Sequence, residues 1–280
     1  MQPGLYLVAT PIGHAQDITL RALQVLRDAD VLFCEDTRRL QKLLTIHGIK
    51  GKKLLAAHAH NEQVSAALIG EKIREGKSVA YASDAGLPLI SDPGAAMVTY
   101  LAKEGLAVTS LPGANAALTA LQLSGLPALP FTFVGFLPPK SSARKRALQS
   151  LKKLDSTVVF YEAPHRILET LEDLREVFGN REAALCRELT KMHEEVLRGK
   201  FEALSQILRN RASIKGEIVL VVNGAGLEEE EAIDQNEIDR LLLEARKTLS
   251  AKDAAAIMSG RTGLPKRELY QRLLHLHDES

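Results

Sequence analysis

The chain has 280 residues, of which 45% are hydrophobic and 25% charged, and its formal net charge is +1. This composition is typical of a soluble globular protein, and the small net charge excludes binding to nucleic acid through an overall field. The length predicts two domains, and the absence of a long apolar run or a signal-peptide pattern predicts a cytoplasmic protein without a membrane span.

The first half of the chain alternates predicted strands with predicted helices of an α/β fold. The helices run for about ten to fifteen residues each, which favours crossover units and a largely parallel sheet. Asp17, Asn61 and Asp92 are predicted N-caps, and either Asp36 or Thr37 caps a further helix. The strands are predicted at Leu5–Ala9, Val31–Cys34, Lys53–Ala57, Lys77–Ala82 and Leu106–Leu111.

The segment Ala80–Gly94 joins the fourth predicted strand to a helix through a loop with Gly86 and Pro88. Open α/β sheets bind ligands at such a junction, although an ordinary turn before a capped helix has the same pattern. The loop carries two carboxylates, Asp84 and Asp92, and no lysine. It therefore suits ribose hydroxyls, an amino group or a cation better than a phosphate. The chain also lacks the G-x-G-x-x-G and G-x-x-x-x-G-K-[ST] motifs.

Polar or turn residues follow every predicted strand of this half. Because the carboxyl ends of parallel strands meet at one edge of a sheet, we expect one composite site there. His58-x-His60 with Glu62, together with Asp84 and Asp92, could bind a divalent metal. The same residues could instead be a strand end before a capped helix, and no second cluster of metal ligands accompanies them.

The segment Glu35–Arg38 places two acids beside a base at a strand end. It could position a substrate or accept a proton, or it could simply begin a helix. Cys34 and Cys186 lack the spacing of a zinc or redox motif, so we expect reduced, buried thiols.

A second α/β unit is predicted after Pro127, with a more mixed sheet. The cations of its first helix could bind phosphates or form a solvated face. Pro164 is predicted to open a later helix, and Arg187–Glu188 could be a simple ion pair. The predicted strands are Phe131–Phe136, Thr157–Tyr161, Ala183–Cys186 and Glu217–Val222, and the cations of the first helix are Lys140, Arg144, Lys145, Arg146, Lys152 and Lys153.

The last part of the chain is helical in pattern. Leu227–Glu231 is predicted to be an acidic linker, and two short helices around Gly263 resemble a helix-turn-helix or a plain helical hairpin. Nucleic-acid contact there would use Lys266, Arg267, Arg272 and His275. We expect an N-terminal parallel α/β domain at 1–115, a second α/β domain at 116–226, and the linker with the helical unit at 227–280.

A series of short motifs follows one another along the chain. They are Val8-Ala9-Thr10-Pro11-Ile12-Gly13, Glu35-Asp36-Thr37-Arg38, His58-x-His60-Asn61-Glu62, Ser83-Asp84-Ala85-Gly86 with Ser91-Asp92-Pro93-Gly94, Leu111-Pro112-Gly113, Ser124-Gly125-Leu126-Pro127, Gly135-Phe136-Leu137-Pro138-x-Lys140, Tyr161-Glu162-x-Pro164-His165-Arg166 and Arg187-Glu188-Leu189-Thr190-Lys191. Together they resemble the tetrapyrrole-methylase class of S-adenosylmethionine-dependent methyltransferases, in its branch acting on small-subunit ribosomal RNA. The resemblance covers essentially the whole chain. It departs from the family at His14, where Asn is usual, and at Leu87, where Thr is common.

The resemblance implies two α/β domains with S-adenosylmethionine in the cleft between them, plus a small C-terminal helical unit. It implies 2′-O-methylation of a decoding-site cytidine, cytidine 1402, in 16S rRNA of the small ribosomal subunit, by a homodimer. Carried over to this chain, the cofactor-binding residues would be Pro11, Asp84, Ala85, Gly86, Leu87, Ile90, Leu111, Pro112, Gly113, Ala114, Asn115, Ala116, Phe160, Tyr161, Leu189, Gly216 and Glu217.

The resemblance leaves the catalytic base open. The candidates are Glu35, Asp36, His58, His60 and Glu162, since a ribose hydroxyl is a poor nucleophile and should need a proton acceptor. No metal is expected. RNA phosphates would be held by Arg38, Lys140, Arg144, Lys145, Arg146, Arg166, Arg187 and Lys191.

Three other functions remain open from the sequence. The same fold could act on a tetrapyrrole or a protein side chain, although the basic cluster and the C-terminal helices argue against this. A metal-dependent hydrolase could use His58 and His60. A non-enzymatic RNA-binding assembly factor is the third possibility.

Overall fold

The computed structural model describes residues 1–57, 62–90, 95–225, 235–247, 249–262 and 264–278. The chain divides into two compact units, residues 1–224 and 225–280. The first unit contains two β-sheets, and the second contains helices. The predicted division at 115/116 falls inside the first unit and stays a prediction.

The first sheet is fully parallel. Its strands are β1 Gly4–Val8, β2 Val31–Cys34, β3 Leu54–Ala56, β4 Ser78–Ala82 and β5 Val108–Leu111. They lie in the order β3-β2-β4-β1-β5. Every residue of β4 is buried because this strand is central and covered on both faces. The predicted parallel α/β architecture is confirmed.

Five helices follow the strands of this sheet: α1 Leu20–Asp28, α2 Thr37–Ile46, α3 Glu62–Arg74, α4 Ala95–Lys103 and α5 Ala116–Ser124. Helices α1 and α2 cover one face through residues such as Leu26 and Leu44. Helices α3 and α4 cover the other face through Ile69 and Leu101. Helix α5 packs instead on the second sheet.

Polar side chains cap α1 and α2. Thr19, and not the predicted Asp17, is the N-cap of α1, since its side chain accepts a hydrogen bond of 3.1 Å from the Ala22 backbone N–H. Asp36 caps α2 by accepting from the Arg38 backbone N–H at 2.8 Å. The predicted caps Asn61 and Asp92 lie outside the described residues, as does the segment from Ser91 to Gly94.

The second sheet is mixed, as predicted. Its strands are β6 Phe131–Phe136, β7 Thr157–Glu162, β8 Glu182–Arg187, β9 Glu195–Lys200 and β10 Ile218–Val222. The order is β6-β7-β10-β8-β9, with β6 and β7 parallel and the other neighbours antiparallel. Helices α6 Ser141–Leu151, α7 Ile167–Phe178 and α8 Phe201–Arg209 cover one face, and α5 covers the other.

Sequence reasoning missed β9 and α8. Strand β9 is a half-buried edge strand with charges at Glu195, Arg198 and Lys200, so it lacks a clear apolar pattern. Pro164 does not begin α7, because a turn intervenes in which the Arg166 backbone N–H donates to the Ala163 carbonyl at 3.0 Å.

The C-terminal unit is a small helical bundle. It contains α9 Gln235–Arg246, α10 Ala251–Thr262 and α11 Lys266–Asp278 around Leu242, Met258 and Leu273. The predicted acidic linker lies outside the described residues. In the described part of the chain, every helix is too short or too polar to cross a bilayer.

Candidate active site

Adjoining cavities lie at the carboxyl edge of the first sheet. The larger, called the main cleft, has a volume of about 460 Å³ and lies between the loops of the first sheet and the second sheet. Its volume is within the range of small-molecule sites. The smaller, called the side cavity, has a volume of about 370 Å³ and lies along α2. A further cavity lies at the start of α2.

The loop after β4 forms the floor of the main cleft and is tied to the end of β1. Thr10 and Gly86 exchange two backbone hydrogen bonds, each 2.9 Å long. The Ser83 hydroxyl donates to the Gly86 carbonyl at 2.6 Å, and the Thr10 hydroxyl donates to the Ser83 carbonyl at 3.0 Å. Gly86 has a φ of +76°, a backbone conformation in which a residue with a side chain would be strained. The loop therefore holds its backbone in one position against the cleft.

Asp84 projects from this loop where the main cleft meets the side cavity. One carboxylate oxygen accepts a hydrogen bond of 2.9 Å from the Asp36 backbone N–H. The other lies 3.4 Å from Arg39 Nε, and a quarter of the Asp84 side chain is exposed. The carboxylate is thus oriented by α2 and still open to a ligand.

The second sheet contributes a bare backbone segment at the start of β10. Gly216 has a φ of +94°, and a Cβ there would lie 2.5 Å from the Glu188 side chain. The Glu188 carboxylate accepts hydrogen bonds of 2.9 Å from the Glu217 backbone N–H and from Lys191 Nζ. Lys191 also bonds the Glu217 carboxylate at 2.9 Å. The bond from Lys191 and then that from the Glu217 backbone hold the pKa of Glu188 below its usual value.

The loop after β1 meets the loop after β8 at Gly13. The Thr190 hydroxyl accepts a hydrogen bond of 3.0 Å from the His14 backbone N–H. A Cβ at Gly13 would lie 2.5 Å from Thr190 Oγ1 and 2.8 Å from the Leu189 carbonyl. Thr190 itself has a φ of +62°, a strained conformation for this residue type. Close packing of the two loops therefore requires glycine at this position.

An aromatic group forms another wall of the main cleft. Tyr161 packs edge-to-face against Phe136, with ring centroids 5.6 Å apart, and against Phe133 at 5.0 Å. Tyr161 and Phe136 line the cleft, and 57% of Phe136 is exposed. The wall offers an apolar surface to a planar ligand.

Most of the predicted cofactor-binding residues line the main cleft, although their binding role stays a prediction. Leu111 and Leu189 are core residues, and Phe160 is buried on the face of β7 that packs under α7, so these three side chains do not reach the cleft. The residues that line it are Asp84, Ala85, Gly86, Leu87, Ile90, Asn115, Ala116, Tyr161, Gly216 and Glu217. Pro11 lines the side cavity, and Pro112, Gly113 and Ala114 line neither.

Sequence reasoning missed several residues of the main cleft. Ile12 and Phe136 lie within quoted motifs, so the motifs could have indicated them. Arg39 directly follows the Glu35–Arg38 segment and carried no signal of its own. Ile218 and Val219 line the cleft because β10 lies at the centre of the second sheet. The position of β10 in the sheet is known only from the fold.

The candidate bases occupy different environments. Glu35 lines the main cleft. Asp36 is the cap of α2, and the side-chain hydrogen bonds from Arg38, followed by its backbone N–H, lower the pKa of Asp36 to about 2. Glu162 is buried and accepts hydrogen bonds from the Ala163 backbone, the Arg166 guanidinium and the Thr170 hydroxyl. His58 and His60 lie outside the described residues.

Asp36 and Glu162 are therefore poorly suited to accept a substrate proton. Protonation of Asp36 would break its bonds with Arg38, and protonation of Glu162 would break the ion pair of 2.6 Å with Arg166. Among the described residues, no group of three or more His, Cys, Asp or Glu side chains could hold a metal ion.

The structure contradicts one predicted RNA contact, and the others stay predictions. Arg144 is fully buried and pairs with Asp173 at 2.6 Å, so it cannot meet a phosphate. Lys145 pairs with Glu176, Arg166 with Glu162, and Arg187 with Glu195. Lys191 is engaged by two glutamates, as described above. Arg38 pairs with Asp36 but stays exposed, as do Lys140 and Arg146.

Both cysteines are free and buried, as predicted. Burial raises the pKa of Cys34 to about 12 and that of Cys186 to about 11. Neither thiol is a nucleophile at neutral pH, since the thiolate is the reactive form.

Comparison with known proteins finds family matches along most of the chain. Residues 4–205 match the family model described as Tetrapyrrole (Corrin/Porphyrin) Methylases, and residues 232–277 match the model described as RsmI C-terminal HTH domain. Two similar curated proteins are both called ribosomal RNA small subunit methyltransferase I. The one from Halalkalibacterium halodurans is 44% identical over 95% of this chain and 93% of its own length. The one from Haemophilus influenzae is 45% identical over 97% of both chains.

A solved structure shares the fold of the first unit. It is uroporphyrin-III C-methyl transferase from Thermus thermophilus, complexed with S-adenyl homocysteine. The TM-score is 0.55 at 18% identity, and the match covers 79% of this chain and 98% of that chain.

Proposed function

The chain belongs to the tetrapyrrole methylase family, in the branch of the ribosomal RNA small subunit methyltransferases I, and from this premise we propose that it methylates the ribose 2′-hydroxyl of cytidine 1402 in 16S rRNA. S-adenosylmethionine is the methyl donor. The proposal includes a cytoplasmic location and a homodimer. It rests above all on the chemistry of the main cleft.

The lining of the main cleft fits S-adenosylmethionine. That molecule has a sulfonium, an amine, a ribose and an adenine, but no phosphate. Among the described residues, the cleft is lined by four acids, Glu35, Asp84, Glu162 and Glu217, and by no lysine. Its one lining cation in that set, Arg39, is 3.4 Å from Asp84. Carboxylates suit the positive sulfonium and amine, and the Tyr161 wall suits a planar base.

Bound in the main cleft, S-adenosylmethionine supplies a methyl group activated by its sulfonium. Transfer forms a bond from the ribose oxygen to the methyl carbon and breaks the bond from that carbon to sulfur, while the hydroxyl loses its proton. The loops tied by the Thr10–Gly86 and His14–Thr190 hydrogen bonds hold the reacting groups in line, which can supply much of the acceleration.

Glu35 is the proton acceptor that the described residues favour. It directly follows β2 and lines the main cleft, and proton uptake by Asp36 or Glu162 would break a bond with an arginine. General-base assistance by such a carboxylate contributes about 10²–10⁴-fold to the rate.

Exposed cations outside the cleft hold the RNA backbone. Arg146 lies exposed on α6, and Lys140 lies exposed just before this helix. In the C-terminal unit, Lys252, Lys266 and Arg267 line a groove with Tyr270. The match of this unit to a helix-turn-helix model supports a role in RNA binding. Such contacts position the substrate without reading its sequence.

The decisive experiment is methyl transfer from labelled S-adenosylmethionine to small ribosomal subunits, to free 16S rRNA and to a tetrapyrrole. We expect label in the rRNA, mapped by nuclease digestion to one cytidine ribose. Label in the tetrapyrrole alone, or on the base instead of the ribose, would refute the proposal. Sedimentation of the free protein tests the homodimer.

A further inference from the structure

The side cavity has a lining that differs from that of the main cleft. One wall is a stripe of α2 formed by Arg39, Lys42, Leu43 and Ile46, whose spacing of three, four and seven residues puts them on one helix face. The opposite wall is the loop after β1, Thr10–Gly13. The cavity thus combines cations with apolar side chains.

The cations of this stripe are available to a ligand. Lys42 is exposed and makes no ion pair with the described residues. Arg39 is 62% exposed in its side chain, and its contact with Asp84 is long at 3.4 Å. Lys191, which also lines the side cavity, is instead held by two glutamates at 2.9 Å. An anion would therefore be bound from the α2 side.

The apolar part of the stripe is also open. Ile46 is 56% exposed and lies one turn beyond Lys42, and Leu43 is half-buried beside it. An exposed apolar side chain beside cations is an unfavourable surface in water and a suitable one for the flat face of a base.

The two cavities meet at Asp84 and Glu217, which line both. Lys42, Leu43 and Ile46 line the side cavity alone. A ligand in the side cavity would accordingly place a neutral hydroxyl at the acidic junction and its phosphate near α2. A single RNA nucleotide has its ribose hydroxyl and its phosphate arranged in this way.

We propose that the side cavity seats the acceptor nucleotide of the RNA, with Lys42 and Arg39 on its phosphate, Leu43 and Ile46 against its base, and its ribose hydroxyl at the junction with the main cleft. This inference rests on the proposed function. Single-stranded RNA nucleotides can be unstacked and bound in such pockets. The α2 stripe is then the part of the protein that places the nucleotide next to the methyl donor.

The test compares Lys42→Glu with Lys50→Glu. Lys50 is exposed just beyond α2 and lines none of the cavities described, so it controls for the change in net charge. Steady-state methyl transfer to small ribosomal subunits is measured at several salt concentrations, and S-adenosylmethionine binding is measured by calorimetry. We expect Lys42→Glu to raise KM for the RNA about tenfold and to reduce the salt dependence by about one phosphate contact.

S-adenosylmethionine binding in Lys42→Glu should match that of the unaltered protein, which also shows that the variant folds. Lys42→Arg should keep KM within about twofold, because the charge is retained. Equal KM values for Lys42→Glu and Lys50→Glu would overturn the acceptor site while leaving the proposed function intact. Absence of any methyl transfer to RNA by the unaltered protein would instead overturn the proposed function and this inference together.

Discussion

Replacement of Gly216 by alanine tests whether the start of β10 shapes the main cleft. The residue has a φ of +94°, and the added Cβ would lie 2.5 Å from Glu188 Cγ and 2.6 Å from its Cδ. The methyl group would displace the carboxylate that bonds both the Glu217 backbone N–H and Lys191 Nζ. The perturbation therefore combines backbone strain with the loss of charge-assisted hydrogen bonds.

Two terms set the expected magnitude. A side chain in the left-handed region costs about 1–2 kcal/mol. A hydrogen bond to a charged group contributes about 1.5–3 kcal/mol, and at least one such bond of Glu188 would be lost. We expect Gly216→Ala to lower the free energy of unfolding by about 3–4 kcal/mol and the affinity for S-adenosylmethionine by about tenfold, which is 1.4 kcal/mol.

Gly76→Ala is the matched control. Gly76 has a similar φ of +81°, and a Cβ there would meet nothing within 4 Å, so this variant carries the backbone strain alone. Thermal unfolding and calorimetric titration with S-adenosylmethionine are measured on both variants. Equal losses of stability, together with unchanged cofactor affinity in Gly216→Ala, would refute the assignment of Gly216 to the cleft.

Two further predictions concern carboxylates. Glu35→Gln should lower the rate of methyl transfer about 10²–10⁴-fold while leaving the Kd for S-adenosylmethionine unchanged. Single-turnover kinetics measure this rate. A rate within threefold of that of the unaltered protein would exclude Glu35 as the base. The hydrogen bonds from Arg211, together with those from Arg187, lower the pKa of Glu195 from 4.5 to about 2. The ionised Glu195 carboxylate therefore stabilises the fold above about pH 4.5, and this stabilisation is lost as the pH falls towards 2. The difference in Tm between the unaltered protein and Glu195→Gln should therefore be large at pH 7 and shrink at pH 2, and a constant difference would contradict the linkage.

The parallel sheet and the loop after β4 were predictable because their signals are local. Most strands of the first sheet are short apolar runs, and Asp36 caps α2 by accepting a hydrogen bond from the backbone N–H of Arg38, only two residues away. The acidity of the loop with Asp84 excluded a phosphate-binding loop from the sequence alone. These features need no knowledge of distant residues.

The misplaced residues depend on distant partners. The sequence pattern places Arg144 on a basic helix. Its partner Asp173 lies 29 residues further along the chain, and Arg144 is buried because it bonds this carboxylate. Glu162 reads as an acid at a strand end, yet its hydrogen bonds to Arg166 and Thr170 form only when α7 packs on the sheet. Pairing of this kind is a property of the tertiary structure, so residue type and spacing could not reveal it.

The packing of α5 determines where the chain can be divided into fragments. The helix follows the last strand of the first sheet, yet Ala117, Ala120 and Leu121 are buried against Val159 and Val219 of the second sheet. A fragment that ends at Gly125 would expose this apolar face to water, whereas one that ends at Asn115 would not. Fragment complementation, and chimaeras between relatives, should therefore exchange residues 116–224 as one block, with the junction at the rim of the main cleft.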